Sequence, residues 1–364
     1  MSSDGAHIGA WRIVSRSTLH AAVCGLAPVV VLVAAIVVAS AGLAADHVIK
    51  LAHPNRNDPF DNATAAMAVV FKSLVEAGSG GTLQVDIYPE GQLGQDDATV
   101  ALVGKGIIQS AISSVGGIAR IYPLIGALDL PFAYPTISST YPVFDGPFGQ
   151  RLAHDIGRRT GLHVLGFGDS GGFFAITNSV RRIASPADVT GLKIRTMGLE
   201  THKLFVRSLG GQPIGLPWSE VYTGLATGVA DGQMNPVPII RFARLDEVQK
   251  HLTLTNHFFT PYIWVMTRDF WTALTAEQQA VVDNAVRSAI VAGRGLSRII
   301  ESSERGLPAL KQRMSVHVPN DAEAAAFRQA TQPAIKSYIE TTFGQDGIDL
   351  MNDFLAAIRA ANQF

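Results

Sequence analysis

Leu83-Gln84-Val85-Asp86-Ile87-Tyr88 alternates apolar and polar side chains with period two. That rhythm predicts a half-buried β-strand. Upstream, His47-Val48-Ile49-Lys50-Leu51-Ala52 reads as another short apolar strand. Between the two, a helical pattern runs from about Asn62 to Ala77, and Gly78 and Gly80 supply its stop. Downstream, Pro89-Glu90-Gly91-Gln92-Leu93-Gly94 is a turn, Asp96 to Lys105 is helical, and Ile108 to Ser114 is a further strand. The order β-α-β-α-β requires a parallel sheet with crossover helices, so the fold class is α/β.

A second region of the same kind runs from Ile194 to Leu254. A long helix then starts at Thr275. Thr275 and Gln278 have the spacing of a capping box, and Glu277 sits near the positive end of the helix dipole. The pattern persists to about Arg305, where Gly306 and Pro308 end it. No internal repeat or low-complexity stretch is visible. The chain of 364 residues is 47% apolar and 16% charged, against about 25% charged in soluble proteins generally. That excludes a disordered polyampholyte. Lys and Arg number 29 against 30 Asp and Glu. The balance excludes a dominant nucleic-acid role, which needs a concentrated positive field. The length predicts about two domains, each able to bury its own core.

Residues 1–45 read as a signal peptide. Arg12 and Arg16 form a basic start, and no charged residue lies between Ala21 and Ala45. The run ends in Ala39-Ser40-Ala41 and Gly42-Leu43-Ala44-Ala45, small residues of the kind a signal peptidase reads. Cleavage is expected near 41–45. An uncleaved anchor is the alternative, since about 20 apolar residues span a bilayer; Pro28 and the small-residue exit favour cleavage. Cys24, the single cysteine, precedes most of the apolar run, which argues against a lipid anchor. Its removal leaves no disulfide or thiol chemistry, and export without disulfides points to a bacterial periplasm.

Gly166-Phe167-Gly168-Asp169-Ser170-Gly171-Gly172 imitates three active-site motifs. It matches the dinucleotide fingerprint, the serine-protease nucleophile sequence and the G-x-S-x-G elbow. The fingerprint and the elbow need a helix next. Phe173-Phe174-Ala175-Ile176-Thr177-Asn178 follows instead, and it reads as a strand. Chymotrypsin-like proteases are all-β, whereas this chain is rich in helix. A glycine-rich crossover between strands is therefore expected. A secreted hydrolase using Ser170 stays as the rival function. The histidines lack metal-site spacing, so no metal and no cofactor is expected. His53, His202, His257 and His317 are expected at the surface or in the core.

Two segments carry a binding signature: Ser185-Pro186-Ala187-Asp188-Val189-Thr190-Gly191-Leu192-Lys193-Ile194-Arg195, and the run from Leu216-Pro217-Trp218-Ser219-Glu220 to Asp231-Gly232-Gln233-Met234-Asn235-Pro236. With Tyr88 to Gly94, Leu130-Pro131-Phe132, Thr255-Asn256-His257, Trp271 and Leu274, they give an order and spacing that closely resembles the solute-binding proteins of tripartite ATP-independent periplasmic (TRAP) transporters. The likeness covers nearly all of the chain after the leader. It implies a two-lobe periplasmic-binding-protein fold, with crossing strands, a long helix spanning both lobes and a ligand in the cleft. The expected lobes are 46–171 with 261–300, and 172–260 with 301–364.

The resemblance also implies the chemistry. Arg195 looks like the family's carboxylate anchor. A carboxylate entering a closed cleft loses hydration, and a guanidinium restores much of it through two parallel charge-assisted hydrogen bonds. Asn235 resembles the Asn that bonds the same carboxylate, and Trp218 an aromatic that packs on the ligand. Glu220 and Asp231 are expected to hold local structure. Two departures bear on specificity. Many members carry a second Arg about four residues before the Asn of a Thr-Asn pair, here Asn178; this chain has Phe174 there. The usual Glu before the Asn is Met234. Both are expected to make the cleft more apolar, favouring a monocarboxylate whose body packs on Phe174. Asn55, Phe60, Ser114 and Tyr262 are further cleft candidates, from loops that should face it. The function implied is a non-catalytic, monomeric receptor that passes an organic acid to a TRAP membrane permease. The same fold could instead serve a membrane sensor kinase.

Overall fold

β1 (His47–Ala52) and β2 (Leu83–Tyr88) run parallel, with His47 opposite Leu83 and Ala52 opposite Tyr88. The computed structural model describes residues 45–363, which form one compact unit. The leader reading, with Cys24, lies outside the described residues. No helix among the described residues is long and apolar enough to cross a membrane.

Between β1 and β2 lies α1 (Ala63–Gly78), whose start is fixed by Asn62: its side-chain oxygen accepts the N–H groups of Thr64 and Ala65. α2 (Asp96–Gly104) leads to β3 (Ser110–Ser113), which also pairs parallel with β1. β4 (Leu162–Asp169) and β10 (Pro261–Thr267) complete a five-stranded sheet in the order β2-β1-β3-β10-β4, with β10 antiparallel to both neighbours. Four more helices accompany it: α3 (Val115–Ile118), α4 (Thr140–Asp145), α5 (Pro147–Thr160) and, after β10, α9 (Arg268–Ala273).

The second sheet has six strands in the order β11-β9-β5-β8-β6-β7. They are β5 (Phe174–Asn178), β6 (Lys193–Thr196), β7 (Gln212–Gly215), β8 (Gly232–Pro236), β9 (His251–Thr253) and β11 (Ser315–His317). α6 (Glu200–Ser208), α7 (Val221–Ala226), α8 (Val237–Phe242) and α11 (Leu307–Arg313) connect them. β5 runs antiparallel to β8 and β9, so this sheet is mixed.

The chain crosses between sheets from β4 to β5 and returns from β9 to β10. The crossovers bond each other: Phe174 N donates to Phe258 O at 2.8 Å, and Ser170 Oγ to Thr260 O at 2.6 Å. Positive φ values at Gly171 (120°) and Gly172 (106°) make the turn. The glycines of β4 serve packing. A Cβ at Gly166 would lie 2.7 Å from Ile290 Cδ1, and one at Gly168 2.8 Å from Met67 Sδ.

α10 (Ala276–Ser302) starts at the expected box, with Thr275 and Gln278 capping each other. Its Ala285, Ala289 and Ile290 enter the first sheet's core beside Met67. α12 (Asp321–Ala361) is broken at Gly344, where φ is 57° and ψ −139°. Before the break, Phe327, Ile335 and Ile339 join the second sheet's core; beyond it, Met351 stays with that core while Phe354 and Ile358 join the core beside α4 and α5. Arg151 to Asp353 and Arg159 to Asp346 tie that half to α5. The stretch 301–364, expected wholly in the second lobe, is thus shared. The apolar pattern shows that both halves of α12 are buried, but not against which sheet.

Candidate ligand-binding site

Arg195 sits in β6, one residue after Ile194, and strand alternation sends the two side chains to opposite faces. Ile194 enters the second sheet's core, while Arg195 lines a cavity of about 830 Å³ between loops of the two sheets. Its side chain is buried, and burial lowers its pKa to about 10, so it remains a cation at neutral pH. Its Nε and Nη2 donate to Leu216 O at 3.1 and 2.8 Å. Among the described residues no carboxylate pairs with it. Nη1 and the second N–H of Nη2 remain for an anion. A buried cation without a counter-ion is costly unless something supplies the charge.

Trp218 flanks it, with the guanidinium carbon 6.0 Å from the indole centroid. Asn235 lines the cavity from β8 and donates to Gln233 Oε1 at 2.6 Å; Gln233 in turn donates to Thr177 Oγ1 at 2.8 Å. This chain of bonds, running from β8 to β5, fixes the amide.

The opposite wall comes from the first sheet. Asn55 follows β1 and Tyr262 is the second residue of β10. Asn55 Nδ2 donates to Thr64 Oγ1 at 2.6 Å and to Tyr262 Oη at 3.0 Å. Both amide hydrogens are thus committed, and Asn55 offers a solute only its carbonyl oxygen. Burial raises the Tyr262 phenol to about 12, so it stays protonated. Ser114 caps α3 by accepting the N–H groups of Gly116 and Gly117 at 3.1 and 3.4 Å. Asp96 braces the same loop, accepting Ser113 Oγ at 3.0 Å and Ser114 N at 3.1 Å. Burial raises the Asp96 pKa.

Arg195, Asn235, Trp218, Asn55, Ser114 and Tyr262 therefore share one cavity. Phe174 and Phe60 do not. In β5, Ala175 pairs with Asn235 and Thr177 with Gln233. Phe174, Ile176 and Met234 point the other way, into the second sheet's core. The two departures expected to make the cleft apolar thus fall in the core, and Phe174 packs near the rings of His202 and His257 at 6.1 and 6.2 Å. Phe60 is 75% exposed on its loop, where its carbonyl accepts Arg305 Nη2 at 2.6 Å. Sequence reasoning missed Arg56, Gln95, Asp96 and Phe242, which also line the cavity. Arg56 adjoins Asn55, and Gln95 and Asp96 follow the quoted Gly94 turn, so adjacency was the available signal.

Ser170 donates its hydroxyl to a backbone carbonyl, as above, and among the described residues no histidine hydrogen-bonds to it. His202 stacks on Phe258 at 4.7 Å and His257 on Phe205 at 4.4 Å, as core aromatics. His53 is buried with both ring nitrogens unpartnered, and burial lowers its pKa to about 4. His317 bridges Arg182 and Glu323. No cluster of three or more metal-ligating side chains occurs among the described residues.

The model of the bacterial extracellular solute-binding proteins, family 7, matches residues 57–341. The chain is 32% identical over 303 residues to the ectoine-binding periplasmic protein of Halomonas elongata, covering 80% of this chain and 85% of that one. Among solved structures, the sugar acid binding protein of Advenella mimigardefordensis, in complex with galactonate, superposes with a TM-score of 0.80 at 27% identity, covering 88% of this chain and all of the other. A TRAP periplasmic solute-binding protein from Sulfurospirillum deleyianum with bound succinate gives 0.77 at 26%, covering 86% and 99%. The named relatives are solute receptors rather than enzymes. This chain belongs to the family 7 extracellular solute-binding proteins, the receptor component of TRAP transporters.

Proposed function

We propose that the protein captures an organic acid in the periplasm, anchors its carboxylate on Arg195 and delivers it to a TRAP permease. The observation that carries this reading is the buried, unpaired Arg195 guanidinium at the cavity wall. An incoming carboxylate supplies the missing counter-charge through two charge-assisted bonds. Asn235 donates its remaining amide N–H to the same group. Trp218 covers the solute's body, while Asn55 accepts from a solute hydroxyl or amine. Relatives bind galactonate, succinate and ectoine; each carries a carboxylate, which agrees with one shared cation and differing opposite walls.

The test is calorimetric titration with organic acids chosen by thermal-shift screening. A true cargo raises the melting temperature by mass action. Arg195→Ala should weaken its binding about 100-fold or more, as truncating one partner of a buried charge pair does, while the ligand-free melting temperature stays within a few degrees. Undiminished affinity in that variant would remove Arg195 from the role.

A further inference from the structure

Beyond the solute contacts, the cavity rim carries bridges between the two halves. Arg56, exposed on the loop after β1, donates through Nη2 to Phe242 O at 3.1 Å, and its guanidinium carbon lies 4.7 Å from the Phe242 ring centroid. Phe242 ends α8, on the far side of the cavity. Gln95, at the start of α2, donates to Ser219 Oγ at 3.0 Å, again across the gap. Asp61, at the far end of the Arg56 loop, pairs with Arg305 between α10 and α11. Arg56, Gln95, Ser219 and Phe242 all line the cavity without belonging to the inner set around Arg195.

The Arg56 and Gln95 bridges each join elements of different sheets, so opening the cleft must break them. A guanidinium stacked on a ring and bonded to a carbonyl is also specific: lysine supplies the charge without the planar fork. From these contacts we propose that Arg56 and Gln95 form a two-point clasp, on Phe242 and Ser219, that holds the halves shut and sets how long a solute stays. The clasp stabilises the closed form alone, so it shifts the open–closed balance by its differential contacts. It also holds the loop that carries Asn55 against the solute.

This inference rests on reading the cavity as a solute cleft, and its first measurement needs no solute. Nitroxide labels are placed on cysteines at Lys105 and Lys250, one exposed site on each side, in a Cys24→Ser background. Pulsed electron–electron resonance then gives the interlobe distance distribution of the ligand-free protein. We expect a short-distance population that falls at least threefold in Arg56→Ala/Gln95→Ala and in Arg56→Lys/Gln95→Ala alike. A wild-type protein without that population, or variants that keep it, overturns the clasp. With succinate, galactonate or ectoine as probe, any that binds should leave the double variant at least fivefold faster by stopped-flow Trp fluorescence; an equal release rate overturns it too. Should no acid of the thermal-shift screen bind the wild type while the short distance still depends on both residues, the clasp stands and the organic-acid reading fails.

Discussion

Arg195 is held by a backbone carbonyl and faced by no acid, and its pKa of about 10 has a direct consequence. Anion affinity should be flat near neutrality and fall as pH rises past about 10, where the guanidinium loses its proton; titrations at pH 8 and pH 10.5 measure this. His53 works in the opposite direction. Its folded pKa of about 4 lies below the unfolded 6.5. Below pH 6.5 the unfolded chain takes up a proton that the folded one refuses, so stability is lost progressively down to about pH 4. The loss approaches about 3 kcal/mol at the bottom of that window. Urea unfolding at pH 7 and pH 4 should show it, and His53→Phe, which satisfies no fewer polar atoms, should flatten the difference. Arg195 was legible in the sequence because its motif is contiguous. Phe174 was misplaced because a strand's two faces depend on register, and only the pairing of Ala175 with Asn235 decides which faces the cleft.

Among the elements, those with their own punctuation were the readable ones. Asn62 and Gly78 bound α1, and Thr275 with Gln278 starts α10, within a residue or two of expectation. α12 was not anticipated, although Asn320 and Glu323 cap its start and Gly344 marks its break, and which sheet each half packs on is a tertiary fact. The break there should tolerate no Cβ-bearing residue cheaply. Nothing lies within 4 Å of where that Cβ would stand, so the cost is conformational alone. Gly344→Ala should destabilise by about 1–3 kcal/mol, since positive φ with ψ near −139° is a region that glycine alone enters readily, and denaturant unfolding would register it. On β4 the cost has a different origin. Gly168→Ala would drive a methyl into Met67 Sδ at 2.8 Å, overpacking the seam between sheet and helix, a change that costs about 1–3 kcal/mol. The G-x-G-x-x-G likeness is therefore a packing pattern, and Gly168→Ala should lower the melting temperature.

At the scale of the whole molecule, the described residues form two sheets, two strand crossovers and two long helices. The crossovers were legible as a glycine-rich break near Gly171. The mixed strand directions were not, because β5 meets β8 and β9 only after the chain has changed sheets. Because Ser170 and Phe174 of one crossover bond Thr260 and Phe258 of the other, the two cannot slip past one another. Under the proposed solute-cleft reading, these bonded crossovers are the hinge about which the halves part. On the proposed delivery role, such a hinge gives the receptor one silhouette when full and another when empty, a difference of outline that lets a membrane permease sort the two, indifferent to the cargo inside.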